Sequence, residues 1–147
     1  MKYLLAICVI GVFSQVATAE VPMDVQELVF AEQLPDAPGD FVYCLAVDGE
    51  DVTPSVIARL QRPNLSLAGA SECTQIIDPE VGGSRHVASG RRAMFYRLNN
   101  FSQDEENGAT VEFESYHHGL SAWGGTFLLQ RESNVWRVTG MLRAWEA

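Results

Sequence analysis

The chain has 147 residues, 10 basic and 19 acidic side chains, a formal net charge of −9, and 47% hydrophobic residues. That composition excludes a disordered chain. So acidic a surface repels nucleic acid and anionic membranes, and leaves basic partners, cations or neutral ligands.

Residues 1–19 read as a cleavable export signal. Lys2 supplies the positive start, residues 3–13 are an apolar run broken only by Gly11, and Ala17-Thr18-Ala19 offers small residues for cleavage. The run is too short to span a bilayer as a stable helix, so no membrane insertion is expected after cleavage. The expected product is residues 20–147, one globular domain in the periplasm or outside the cell. It holds nine arginines, no lysine and 19 acidic side chains, a net charge of −10. Cys8 leaves with the signal. The remaining pair, Cys44 and Cys73, is expected to form one disulfide in an oxidising compartment.

In chain order, Asp24 is expected to cap a first helix, with Glu27 three residues on completing a capping box and Met23 stapling against Leu28. Val25, Leu28 and Val29 form its apolar stripe, and Pro35 to Gly39 end it. Residues 41–47 are a nearly continuous apolar run, read as a buried central strand. Thr53-Pro54 opens a second short helix buried through Val56, Ile57 and Leu60. Residues 65–77 give no firm pattern, and 78–83 read as a loop.

The second half reads as all-β. Residues 93–98 form a strand and 103–108 a polar, acidic turn. Residues 109–117 alternate, with Ala109, Val111 and Phe113 on one face and Thr110, Glu112, Glu114 and Tyr116 on the other. Residues 119–125 read as a glycine-rich loop carrying Trp123. Residues 126–131 and 135–144 are expected to pair across Glu132-Ser133-Asn134, with Trp136, Val138 and Leu142 on one face. The fold class is α+β: an antiparallel β-meander covered by two short helices, with one disulfide.

No catalytic constellation stands out. His117 and His118 are adjacent, so on a strand they point to opposite faces, and no metal-binding spacing surrounds them. They read as plain surface or loop histidines, and neither a metal nor a cofactor is expected. Ser121 lacks a nucleophile elbow, and the loop around Trp123 lacks the residues of a phosphate cradle. Trp123 is either a hydrophobic plug or a partner-facing aromatic. Arg91, Arg92 and Arg97 are read as balancing Glu112 and Glu114 across strands; the alternative, a carboxylate-binding pocket, has no support from their spacing. Asn64 and Asn100 sit in glycosylation sequons, which matter only in a eukaryote.

Residues 116–139 (YHHGLSAWGGTFLLQRESNVWRVT) resemble the closing meander of NTF2-like cone proteins. Residues 42–60 (VYCLAVDGEDVTPSVIARL), with Ser71-Glu72-Cys73, resemble short exported bacterial proteins of unassigned activity. A strand between the two helices departs from the NTF2-like order. These resemblances imply an exported α+β domain and no particular reaction. The leading expectation is therefore a non-catalytic binding domain for a partner protein or small ligand. The alternatives are a cone-type enzyme, with Tyr96, Glu112, Tyr116 or His117 as acid–base groups in an apolar pocket, and an inhibitor or immunity-type protein.

Overall fold

A computed structural model of the protein describes residues 19–104 and 106–147. The expected export signal, with Cys8, falls outside them except for Ala19. The elements are α1 (Met23–Gln33), β1 (Val42–Val47), β2 (Glu50–Asp51), α2 (Pro54–Leu60), β3 (Ser66–Gly69), β4 (Cys73–Thr74), β5 (Arg85–His86), β6 (Ala93–Gln103), β7 (Gly108–His118), β8 (Ser121–Glu132) and β9 (Val135–Glu146). The main sheet runs β2-β1-β6-β7-β8-β9, with β3 also on β1, and β4–β5 form a separate ribbon. Strands β6 to β9 are the expected antiparallel meander. β1, by contrast, pairs in parallel with both β3 and β6. No helix among the described residues is long and apolar enough to cross a membrane.

Every residue of β1 is buried because both its faces are covered. Tyr43, Leu45 and Val47 join the main core under the helices, while Val42 and Cys44 join a smaller core with Ala68, Ala93 and Phe95. This two-sided burial is why the strand reads as a continuous apolar run. Cys44 is bonded to Cys73, with Cα atoms 6.4 Å apart. The bridge ties the central strand to β4, across the segment that gave no firm pattern.

The expected capping box at Asp24 does not form. α1 begins at Met23 with Pro22 as its cap residue, and no side chain caps it. Proline fixes the entry dihedral, so the helix starts two residues earlier than a side-chain cap at Asp24 predicts. Asp24 Oδ1 accepts only from the neighbouring Val25 N–H. Met23 is exposed rather than stapled. The buried stripe is Val25, Val29 and Phe30, and Gln26 joins it by donating to the Val21 carbonyl at 2.8 Å. α2 starts as expected after Thr53, although the Thr53 hydroxyl meets Ser55 instead of capping the backbone.

Two corrections concern the meander. The loop expected over 119–125 is a two-residue connection, Gly119–Leu120, and β8 already begins at Ser121. Gly124 and Gly125 lie inside the strand because neighbours approach them closely. A Cβ at Gly124 would stand 2.7 Å from the Phe113 carbonyl oxygen and 2.8 Å from the Trp145 ring, and one at Gly125 would stand 2.7 Å from Met141 Sδ. In β9, Leu142 leaves the face of Trp136 and Val138. Val138 pairs with Leu129 and Gly140 with Leu128, so Thr139 is the extra residue of a bulge that reverses the alternation. Leu142 ends opposite Thr126 on the other face and is half exposed.

Candidate functional site

The register of the sheet separates the residues singled out in the sequence. Tyr96 pairs with Ser115 and Ser115 with Trp123, so these three share the face that carries the helices. Glu112 and Tyr116 alternate onto the opposite face. His117 returns to the helix side, at the end of β7. No single site can contain Tyr96, Glu112, Tyr116 and His117 together.

On the helix side, Phe113, Phe127, Leu129 and Trp136 are buried in the core. Phe113 is the hub of the aromatic contacts, with ring centroids 5.1 Å from both Tyr96 and Trp123. The Tyr96 hydroxyl donates to the Gln33 carbonyl at 3.2 Å, and that of Tyr43 to the Pro38 carbonyl at 3.1 Å. Burial pushes both phenols above their ordinary range, and Tyr43 adds a smaller rise at Tyr96. Both stay protonated near neutrality. Tyr96 is thus an anchor between sheet and helix.

Trp123 is half-buried on strand β8, neither on a loop nor sealed in the core. It lines an open groove of about 480 Å³ with Met94, Tyr96, Ser115, Leu120 and Glu146. A second groove of about 380 Å³ lies against it, between Trp123, Met141, Ala144, Trp145 and Glu146. Trp123 and Glu146 belong to both. Leu120, Met141, Leu142 and Trp145 are exposed around this end of the sheet, Trp145 at 46%. The sequence pointed to Trp123 and missed its company, because Trp145 and Met141 arrive only through the bulged pairing of β9.

The grooves open beside a sheet edge that no other strand of the described residues covers. β9 is the last strand of the sheet and 12 residues long. At its end, Ala147 exchanges backbone hydrogen bonds with Ala122, at 2.9 and 3.5 Å. The next residue inward, Glu146, therefore turns its N–H and C=O away from β8.

On the opposite face, Arg97 pairs with Glu114, donates to Gln75 at 2.7 Å and lies over the Phe95 ring. Its carbon is also 5.8 Å from the Tyr116 ring centroid. Glu112 accepts from the Asn100 amide at 2.7 Å, and Asn100 sits at a bulge with φ 53°. Glu112 thus sits in a surface hydrogen bond with Asn100, while Tyr116 packs partly buried against the smaller core. Of the expected cross-strand balance, Arg97–Glu114 forms, while Arg91 pairs with Asp40 and Arg92 with no carboxylate among the described residues.

His117 corrects the reading as a surface histidine, for it is only 2% exposed. Phe41 closes over it at 5.1 Å, and a side chain at Gly83 would collide with its Nε2. Its Nδ1 is 2.7 Å from the Ala93 carbonyl and must donate to it, leaving Nε2 as an acceptor facing Arg92 at 3.5 Å. Burial lowers its pKa first. The Ala93 bond opposes that, and Arg92, His118 and Arg85 lower it further. Among the described residues no group of three His, Cys, Asp or Glu is placed to hold a metal.

No known protein family, curated protein or solved structure matches this chain. It is defined by its own architecture: an α+β domain with a Cys44–Cys73 disulfide and an open edge strand flanked by tryptophans.

Proposed function

We propose that this protein is an exported binding domain that takes an extended segment of another protein as an additional strand on β9. The carrying observation is the coincidence of the free edge with the two grooves around Trp123. In strand addition, main-chain hydrogen bonds supply affinity and side-chain pockets supply specificity. The edge of β9 offers the first and the grooves offer the second. Tryptophans at the centre of such a surface are favoured anchors. Natural edge strands are ordinarily blunted or covered; this one is bulged at Thr139, yet beyond that bulge it carries Met141, Leu142 and Trp145 exposed.

Charge selects the partner. β8 and β9 hold three arginines against two glutamates, while the rest of the chain after residue 19 holds six against seventeen. The edge is the basic part of an acidic surface, which suits an apolar segment with acidic flanks. The same acidity disfavours a second copy. An inhibitor that adds a strand to an enzyme is this reading with an enzyme as partner. The helix-side face is filled by Phe113, Phe127, Leu129 and Trp136, which supports binding over cone-type chemistry. The disulfide suits an oxidising compartment.

The test is to pan a library of linear random peptides on the purified protein, then compare the winners on wild type and Glu146→Pro. Proline removes the outward N–H and leaves the Ala147 ladder bonds in place. Winners that alternate apolar residues and weaken about tenfold, the scale of one lost hydrogen bond with its strand geometry, support the reading. Winners indifferent to the substitution refute it. A dimer in sedimentation that Glu146→Pro dissolves would assign the edge to a second copy instead.

A further inference from the structure

We infer that Arg85, Arg92 and His118 form a binding site for a small oxyanion, a carboxylate or phosphate group, beside the Gly82–Gly83 loop at the end of β7. This site does not rest on the β9 reading.

Residues 20–147 carry 19 acidic side chains against nine arginines, so an arginine without a carboxylate needs a reason. Arg59, Arg62, Arg91, Arg97 and Arg137 each have one. Arg85, Arg92, Arg131 and Arg143 have none among the described residues, and of these four Arg85 and Arg92 are bridged neighbours on antiparallel backbone. Two like charges are held side by side in a protein with a large excess of the opposite sign.

Both guanidinium groups are fixed in place. Arg92 lies over the Phe41 ring at 4.3 Å, with Nη2 3.5 Å from His117 Nε2. Arg85 packs so closely on Gly82 that a Cβ there would stand 2.5 Å from its Nη2, and its Nη1 donates to the Gly90 carbonyl at 3.3 Å. Gly82 and Gly83 have φ of 88° and 75°. Only residues without a side chain bring the loop this close to Arg85 and to His117 at once. Each guanidinium has five N–H donors, and most of these remain unengaged.

The neighbouring imidazoles sharpen the chemistry. His118 Nδ1 accepts from the Leu120 N–H at 3.2 Å, so the neutral ring carries its proton on Nε2 and adds a donor. The rings of His117 and His118 are 4.9 Å apart. His117 gives its N–H to the Ala93 carbonyl, and a neutral imidazole carries no negative charge to balance either arginine. The cluster is a set of pre-positioned donors with no acceptor of full charge. A single oxyanion supplies that acceptor, and arginine forks bind it in bidentate fashion.

The experiment titrates the full protein with sodium acetate and, separately, inorganic phosphate, against sodium chloride at equal ionic strength. The readouts are the His117 and His118 ring signals and the Arg92 Nε–H signal by NMR. Saturable shifts are expected, weakened about tenfold in Arg85→Gln and in Arg92→Gln, as for loss of one charge-assisted hydrogen bond. His118→Ala, which leaves the Phe41 and Gly82 contacts alone, weakens binding as well. Arg59→Gln, which removes a cation paired with Glu27, leaves it unchanged. Shifts that chloride reproduces, or an equal loss in Arg59→Gln, would overturn the site. Acetate and phosphate responses tell which oxyanion the geometry prefers.

Discussion

His117 shows how position decides chemistry. Its residue type suggested a surface group, but Phe41, Gly83 and Ala93 enclose it, and none of these is near it in sequence. Folding therefore lowers its pKa from the ordinary 6.5. The unfolded chain binds a proton near pH 6.5 that the folded chain resists. Stability is then full above that pH and falls as pH drops through the unfolded value toward the lowered folded one. Urea midpoints at pH 7.5 and 5.5 should show this loss, and His117→Gln should flatten it; an unchanged slope in the variant would assign the effect elsewhere. Gly124 gives a second residue-scale prediction. Gly124→Ala places a Cβ against the Phe113 carbonyl and the Trp145 ring. We expect a loss of about 1–3 kcal/mol by denaturant unfolding, with Trp145 fluorescence shifted because its ring must move.

At the scale of elements, patterning revealed which segments are strands better than which strands meet. The apolar run of β1 and the alternation of β7 were legible because burial on two faces or on one leaves a direct trace. The parallel pairing of β1 with β3 and β6 was not, since nothing local distinguishes a parallel neighbour. Glycine misled the reading of 119–125. It usually marks a turn, but Gly124 and Gly125 serve close packing inside β8. The bulge at Thr139 escaped notice for a related reason: one extra residue inverts a face without changing composition. The grooves around Trp123 depend on that bulge and on the next irregularity, where Arg143 has φ 52°. Trp123 was thus visible in the sequence and its binding surface was not. The disulfide was legible from count and compartment. It closes a loop with a sequence separation of 29, worth about 3.5 kcal/mol on chain entropy. Replacing Cys44 and Cys73 together by Ala should lower the unfolding free energy by about that amount, while reduction of the native protein should expose two thiols only after denaturation or strong reductant.

For the whole molecule, the two helices cover one face of the sheet as far as β9, and the disulfide-tied segment lies over the other face at β1 and β6. The β8–β9 side is left with an open edge and exposed aromatic and aliphatic side chains. This asymmetry underlies the proposed function: β6 to β9 all contribute to the core on the helix side, Phe127, Leu129 and Trp136 included, and the outer end of β9 also presents a strand. Export frames it. The mature protein recovered from its source should begin at Glu20, and N-terminal mass spectrometry that finds Met1 retained would remove the compartment from the account.

The most direct test of strand addition is amide hydrogen exchange of the protein with and without a selected peptide. The account predicts new protection concentrated at residues 141–146 of β9, with Glu146 included, together with a change in Trp123 fluorescence. Protection confined to the face of Glu112 and Tyr116, or none along β9, would contradict it.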